Sequence, residues 1–295
     1  MRLLFDSKTT MTTTDKRLAS EDVFGCLAGL ILDLDAAKGV ECDASNKVLS
    51  WNNQVIGARA QAFKPNPIGR TAPSAGIPTR LDPATSSGEH TTIQFNRQEL
   101  INDDEAAFDH LIQGNGYTWL AVIAVYEQSS PVKNTHAFFG NLRNTSAFED
   151  QGTGGHYEGF WGVVHDDRHV YAGTRNGIDF ERNGPNNPEV LSETVLEKNR
   201  LYVVAGRMGA GTGEVKLEVF VNTAEAERSA MVPINPQANP SKMAVGQERD
   251  ATDHPGCESF EGELARLLIY ERPLSNDELK QAMLQLCETY NVRRL

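Results

Sequence analysis

The sequence predicts an all-β fold, a two-sheet antiparallel β-sandwich finished by one C-terminal helix. Three observations predict it. Apolar stretches of strand length recur along the 295 residues and are divided by turns drawn from 25 Gly and 13 Pro. No strand–helix–strand alternation and no Gly-rich phosphate loop is present, which speaks against a parallel nucleotide-binding sheet. The one strong helix signal stands near the end of the chain, where it can cover a sheet face.

The elements follow in order. Residues 1–22 are polar and read as a loose tail, with a single domain expected over residues 23–295. The opening MRLLF is too short an apolar run for a secretory signal, so no signal peptide is recognisable and localisation stays open. Met11 offers a second start. Ala28–Asp35, Lys47–Asn52 and Thr92–Phe95 read as strands. Tyr117–Tyr126 (YTWLAVIAVY) is apolar on both faces, as a central strand covered on both sides must be. Phe138–Leu142 is a further strand. Phe160–His165 and His169–Thr174 form one hairpin; Leu201–Arg207 and Val215–Asn222, divided by Gly209, Gly211 and Gly213, form another. In the latter, Val215, Leu217, Val219 and Val221 share one face. Met243–Gly246 and Phe260–Tyr270 complete the strands. Residues 64–91, 175–199 and 223–242 read as loops. Asp103–Ile112 reads as a short helix. The terminal helix, about residues 275–290, opens on a capping box: Ser275 can cap the first turn while Glu278 reaches back. Leu279, Ala282, Met283, Leu286 and Tyr290 then give one buried stripe.

Composition excludes several classes. Lys+Arg numbers 28 against 40 Asp+Glu, a net charge of −12, the opposite of a nucleic-acid-binding surface. No apolar run is long enough to span a membrane. The four cysteines, Cys26, Cys42, Cys257 and Cys287, form no Cys-x-x-Cys pair, so zinc is not indicated and a disulfide is permitted but not demanded.

Two stretches carry a resemblance. Phe260–Leu279 reads FEGELARLLIYERPLSNDEL, and Leu30–Gln54 reads LILDLDAAKGVECDASNKVLSWNNQ. With the central strand, they resemble LamG-like jelly rolls of the concanavalin A-like lectin/glucanase superfamily over about residues 26–292. Asn53-Gln54 departs from the Asp-Gln usual in that group. The resemblance implies a jelly roll whose first and last strands, Ala28–Asp35 and Phe260–Tyr270, lie side by side. It also implies a saccharide ligand and, as in many members, a structural Ca²⁺ on the rim. The acidic segment Glu248, Asp250, Asp253 and Glu258 supplies oxygen ligands for it, with Asp250 and Asp253 as the chosen ones and Asp33 and Asp35 on the neighbouring strand. It does not fix the chemistry, since the superfamily holds lectins, adhesion modules, glycanases and lyases.

Catalytic motifs are sparse. The Glu-x-Asp-x-x-Glu of the glucanase branch is absent; Glu258, Glu261 and Glu263 do not share one strand face. Arg97–Leu100 (RQEL) matches one alginate-lyase motif, but its Gln-x-His partner is missing. The hairpin FWGVVHDDRHVYAGT is the richest segment. A loop of Asp166–Arg168 sets His165 opposite His169 and Val163 opposite Tyr171, which gathers Trp161, His165, His169 and Tyr171 on one face and gives Gly162, Val164, Val170 and Ala172 to the core. Trp, Tyr and His on an outer face suit stacking on sugar rings and bonding to hydroxyls, and Arg168 and Arg175 add cations. The reading is a non-catalytic carbohydrate-binding or adhesion module for a polysaccharide or glycoconjugate. The other reading is a lyase on uronate-containing glycans, with His165 or Tyr171 as base and Arg168 or Arg175 neutralising the carboxylate.

Overall fold

The structure is a computed structural model and describes residues 23–65, 76–144, 157–178, 184–240, 242–247 and 258–294. Helix α1 (Val23–Cys26) precedes β1 (Leu30–Asp35), β2 (Val40–Cys42), β3 (Val48–Asn52), β4 (Ala62–Pro65), β5 (Thr79–Leu81), β6 (Thr92–Asn96) and β7 (Leu100–Ile101). Then come β8 (Tyr117–Val125), β9 (His136–Gly140), β10 (Arg143–Asn144), β11 (Tyr157–Val164), β12 (His169–Asn176) and β13 (Val190–Val195). The chain continues through β14 (Leu201–Met208), β15 (Glu214–Val221), β16 (Arg228–Pro233), β17 (Ala244–Val245) and β18 (Glu261–Tyr270) into helix α2 (Asn276–Thr289).

Two antiparallel sheets result. The first runs β16-β15-β14-β8-β18-β6-β5, with β1 also on β18; the second runs β13-β12-β11-β9-β17-β7-β4-β3-β2, with β10 on β11. β1 pairs with β18 as expected, Asp33 opposite Leu268. β8 is buried at every position because its two faces serve two cores. Trp119, Ala121 and Ile123 enter the inter-sheet core, while Leu120, Val122 and Ala124 meet α2 residues Leu279, Met283 and Leu286 on the back of the first sheet.

α2 begins where the capping box places it. The Ser275 hydroxyl accepts from the Glu278 amide, and the Glu278 carboxylate accepts from the Ser275 amide at 2.8 Å. Arg272 holds the same carboxylate at 2.7 Å and 2.9 Å.

Both margins of the sandwich are stitched. On one, Lys47 bridges to Thr79 and the Val48 amide donates to the Pro78 carbonyl at 2.9 Å. On the other, the Glu227 carboxylate accepts from the amides of Glu193 and Thr194 at 2.7 Å and 2.9 Å, satisfying donors that an edge strand leaves open.

Some expectations change. Asp103–Ile112 is not a helix; one wide helical turn covers Leu111–Asn115 instead. The Asn102 and Asp104 side chains accept from the amides of Asp104 and Ala106, local bonds that compete with the helical ladder. Ala107, Phe108, Leu111 and Ile112 still enter the inter-sheet core. The three segments read as loops contain β5, β13 and β16. These are edge strands with mixed burial, so the alternation that marks a half-buried strand is weak. Residues 1–22, Cys257 and the calcium candidates Asp250 and Asp253 lie outside the described residues. Cys26, Cys42 and Cys287 are free thiols.

Candidate functional site

The hairpin of β11 and β12 adopts the register that separates polar from apolar side chains. Val163 faces Tyr171, Trp161 faces Gly173 and Gly159 faces Arg175. The turn spans Asp166–Arg168: the His165 amide donates to the His169 carbonyl at 2.9 Å, and Arg168 takes a positive φ of 68°. Phe160, Val164, Val170 and Ala172 therefore point between the sheets. Trp161, Val163 and Tyr171 point the other way and form a separate cluster with Ala137 and Leu142.

On that outer face the rings meet edge to face. Trp161 and Tyr171 lie 5.7 Å apart at 90°, and His165 and Tyr171 5.6 Å apart at 83°. The His165 Nε2 stands 3.1 Å from the Glu189 carboxylate, a partner with no signal in the sequence. Arg175 lies over the Tyr157 ring, 5.4 Å from its centroid.

The expectation of solvent-exposed rings is corrected. Trp161 is 3% exposed, Tyr171 5%, His165 4% and Arg175 8%. The rings pack on one another and on Ala137 and Leu142 rather than on water. The turn residues are committed as well. The His169 Nδ1 lies 2.8 Å from the Ser192 carbonyl, and the Arg168 Nε donates to the Leu196 carbonyl at 2.8 Å, so both tie the turn to the segment of β13.

Two donors on this face have no acceptor among the described residues: the Trp161 indole Nε1 and the Arg175 Nη1, both buried. Arg175 and Trp161 sit on diagonal positions of the same face, within reach of one ligand. Arg175 also makes no ion pair among the described residues. At the end of the hairpin, a third histidine emerges that sequence reading missed. The His136 Nε2 stands 2.6 Å from the Asp166 carboxylate. Burial lowers the His136 pKa against the pull of Asp166.

Carboxylates elsewhere serve the frame. Glu263 accepts from the Ser87 amide at 3.0 Å, the Thr92 hydroxyl at 2.8 Å and the Tyr126 hydroxyl at 2.6 Å. Burial and this carboxylate push the Tyr126 phenol up to about 12. Glu261 accepts from the Ser129 hydroxyl at 2.8 Å. Both carboxylates are taken up in hydrogen bonds that tie neighbouring segments to β18. Arg97–Leu100 lies at the passage from β6 in the first sheet to β7 in the second, with Arg97 at φ 64°, and not along one strand. Asp33 grips Arg266 at 2.7 Å and 2.9 Å, and Asp35 accepts from the Ala37 amide at 2.9 Å, so these two do not fit a calcium site. No group of acidic, His or Cys side chains among the described residues fits a metal ion.

The sequence profile of the laminin G type described as Concanavalin A-like lectin/glucanases superfamily matches residues 109–280, more than half of the chain. The chain belongs to this superfamily. Solved structures share the fold. A mutant of Trypanosoma rangeli sialidase displaying trans-sialidase activity superposes with a TM-score of 0.55 at 13% identity, over 89% of this chain and 33% of that one. The same sialidase in complex with the inhibitor DANA gives a TM-score of 0.53 at 14% identity, over 88% and 33%. The binding domain of Paraclostridial Mosquitocidal Protein 1 gives 0.52 at 12% identity, over 88% and 52%. The chain thus spans about a third of the sialidase and half of the binding domain, and at these identities the likeness is one of fold alone. A search of curated protein sequences finds no match. No helix among the described residues is long and apolar enough to cross a membrane.

Proposed function

We propose that the outer face of the β11–β12 hairpin binds a polysaccharide or glycoconjugate without turning it over. The observation that carries this reading is Arg175. It is a buried guanidinium resting on Tyr157, with an Nη1 that meets no acceptor among the described residues. A buried donor without an acceptor is costly, and a ligand oxygen that accepts from Nη1 would recover that cost. The Trp161 Nε1 offers a second donor on the same face. A glycan presents many acceptors, and a carboxylate or sulfate on it suits the guanidinium best. Both donors are covered, so binding requires neighbouring side chains to move. Association is then slower than the ~10⁵ M⁻¹s⁻¹ at the lower end of unhindered docking.

The test is calorimetric titration with acidic and neutral oligosaccharides. Arg175→Met should weaken binding of the acidic ligand by about tenfold or more, the worth of a lost charged hydrogen bond. Trp161→Phe, which keeps the ring and removes the N–H, should weaken it less. Equal affinity in both variants and the wild type would refute the site.

One observation favours a second reading, a polysaccharide lyase. His165 is oriented by Glu189 at 3.1 Å, as a general base is often oriented by a carboxylate. A neutral His165 would take the proton at C5 of a uronate while Arg175 balanced the carboxylate; the electron pair would form the C4–C5 double bond and expel the O4-linked sugar. Incubation with uronate polymers, with absorbance of the unsaturated product as readout, separates the two. Product formation that His165→Ala abolishes would replace the binding reading.

A further inference from the structure

The opposite face of the sandwich holds a cleft of about 470 Å³ between α2 and β15. That volume lies within the range of small-molecule sites. Asn276, Lys280 and Leu284 follow at helical spacing, so one stripe of α2 forms a wall. On the sheet side, Arg207 lies over the Phe220 ring at 5.4 Å.

The charges in the cleft divide into committed and uncommitted groups. Glu218 is held by Arg207 at 2.7 Å and by Lys216 at 2.7 Å. Arg207 also donates to the Leu274 carbonyl and to the Asn276 side-chain oxygen. Arg294 pairs with Glu288 at 2.7 Å. Lys280, Glu225 and Asp277 line the cleft and have no side-chain partner among the described residues. Asp277 stands in the first turn of α2, where the helix dipole offsets its charge. The lining counts four cations (Arg207, Lys216, Lys280, Arg294) against three carboxylates (Glu218, Glu225, Asp277), a surplus of one positive charge in a chain of net −12.

This pattern selects among ligands. A dianion would meet Glu225 and Asp277 and be repelled. A purely apolar molecule would leave Lys280 and both carboxylates unanswered. What satisfies all three groups carries one negative charge together with hydroxyl donors. We propose that the cleft binds a sugar acid: its carboxylate pairs with Lys280, its hydroxyls donate to Glu225 and Asp277, and its ring carbons lie against Leu284. This site is separate from the hairpin and does not rest on the reading of Trp161 and Arg175.

The test is titration of the full chain with glucuronate, glucose and acetate, followed by NMR shifts of backbone amides. Glucuronate should saturate shifts in residues 223–226 and the first turns of α2, glucose should not, and Lys280→Gln should weaken glucuronate by about twofold to fivefold, the worth of an exposed ion pair. Lys280 is exposed, so this variant should melt with the wild type. Arg175→Met, on the other face, should leave these shifts unchanged, which keeps failure here apart from failure of the hairpin reading. Acetate saturating the same amides as tightly as glucuronate would overturn the proposal, because the hydroxyls and ring would then contribute nothing. Absence of saturable shifts at the cleft, or glucuronate binding that Lys280→Gln does not alter, would overturn the proposal.

Discussion

The indole of Trp161 lies across Gly173, its partner on the neighbouring strand: a methyl group added there would stand 2.1 Å from the ring carbon Cε2. The core repeats the device, since Gly206 faces Trp119 and an added methyl would stand 2.4 Å from that ring. Each glycine makes room for a ring that would otherwise have to leave the sheet surface.

Gly173→Ala should force the Trp161 ring off its seat and cost about 1–3 kcal/mol, the usual range for overpacking. Thermal melts and the near-UV circular dichroism of tryptophan would check it. An unchanged spectrum with an unchanged midpoint would mean that the ring has free space to move into.

Ser275→Ala should cost about 0.5–2 kcal/mol by stripping the first-turn amide of its acceptor. A melt against the wild type measures it, and an unchanged midpoint would show that the cap contributes nothing.

Glu278 gives a pH dependence. Arg272 first, and the Ser275 amide second, lower its pKa from the ordinary 4.5 to about 2. The unfolded chain thus binds this proton more readily, so the stabilisation is full above about 4.5 and is lost as pH falls toward about 2. The difference in midpoint between wild type and Glu278→Gln should be present at neutral pH and should shrink through that acid window. A difference independent of pH would contradict the ion pair.

Asp33 and Arg266 form a buried bidentate pair, with Arg266 also 4.4 Å from the Phe24 ring centroid. Asp33→Leu alone should cost about 3–5 kcal/mol because it removes the bidentate partner of a buried cation and leaves it Asp35 at 4.0 Å, whereas Asp33→Leu with Arg266→Met should recover most of it. Urea unfolding of the single and double variants would decide, and a double variant no better than the single would refute this account.

Calcium remains as a proposal carried by Asp250 and Asp253. A site that only the folded chain possesses raises the melting temperature when filled. Calcium should therefore raise the midpoint over chelator in the wild type and not in Asp250→Asn with Asp253→Asn. Equal midpoints in the wild type would end the idea.

The sequence by itself determined whatever depends on neighbours along the chain. The capping box at Ser275 and Glu278 is a contact across one helical turn, and helix α2 begins there. The β11–β12 register follows from alternation across a short turn, because a slip of one residue would have put Val164 and Val170 on opposite faces and mixed the polar and apolar sets. The unbroken apolar run of β8 announced a strand covered on both sides.

Only the tertiary structure decided the rest, because it depends on residues far apart in sequence. Periodicity told which side of the hairpin Trp161 and Tyr171 take, but not that Ala137 and Leu142 would pack beside them and leave almost no exposure. Glu189 beside His165, Asp166 beside His136 and the hydroxyls around Glu263 are long-range pairings with no local pattern. Asp33 reads from the sequence only as a carboxylate beside the acidic segment; the fold brings Arg266 against it. A side chain's type and its strand face are local properties, set by backbone period and propensity; its burial and its partners are set by how the two sheets and their loops close around it.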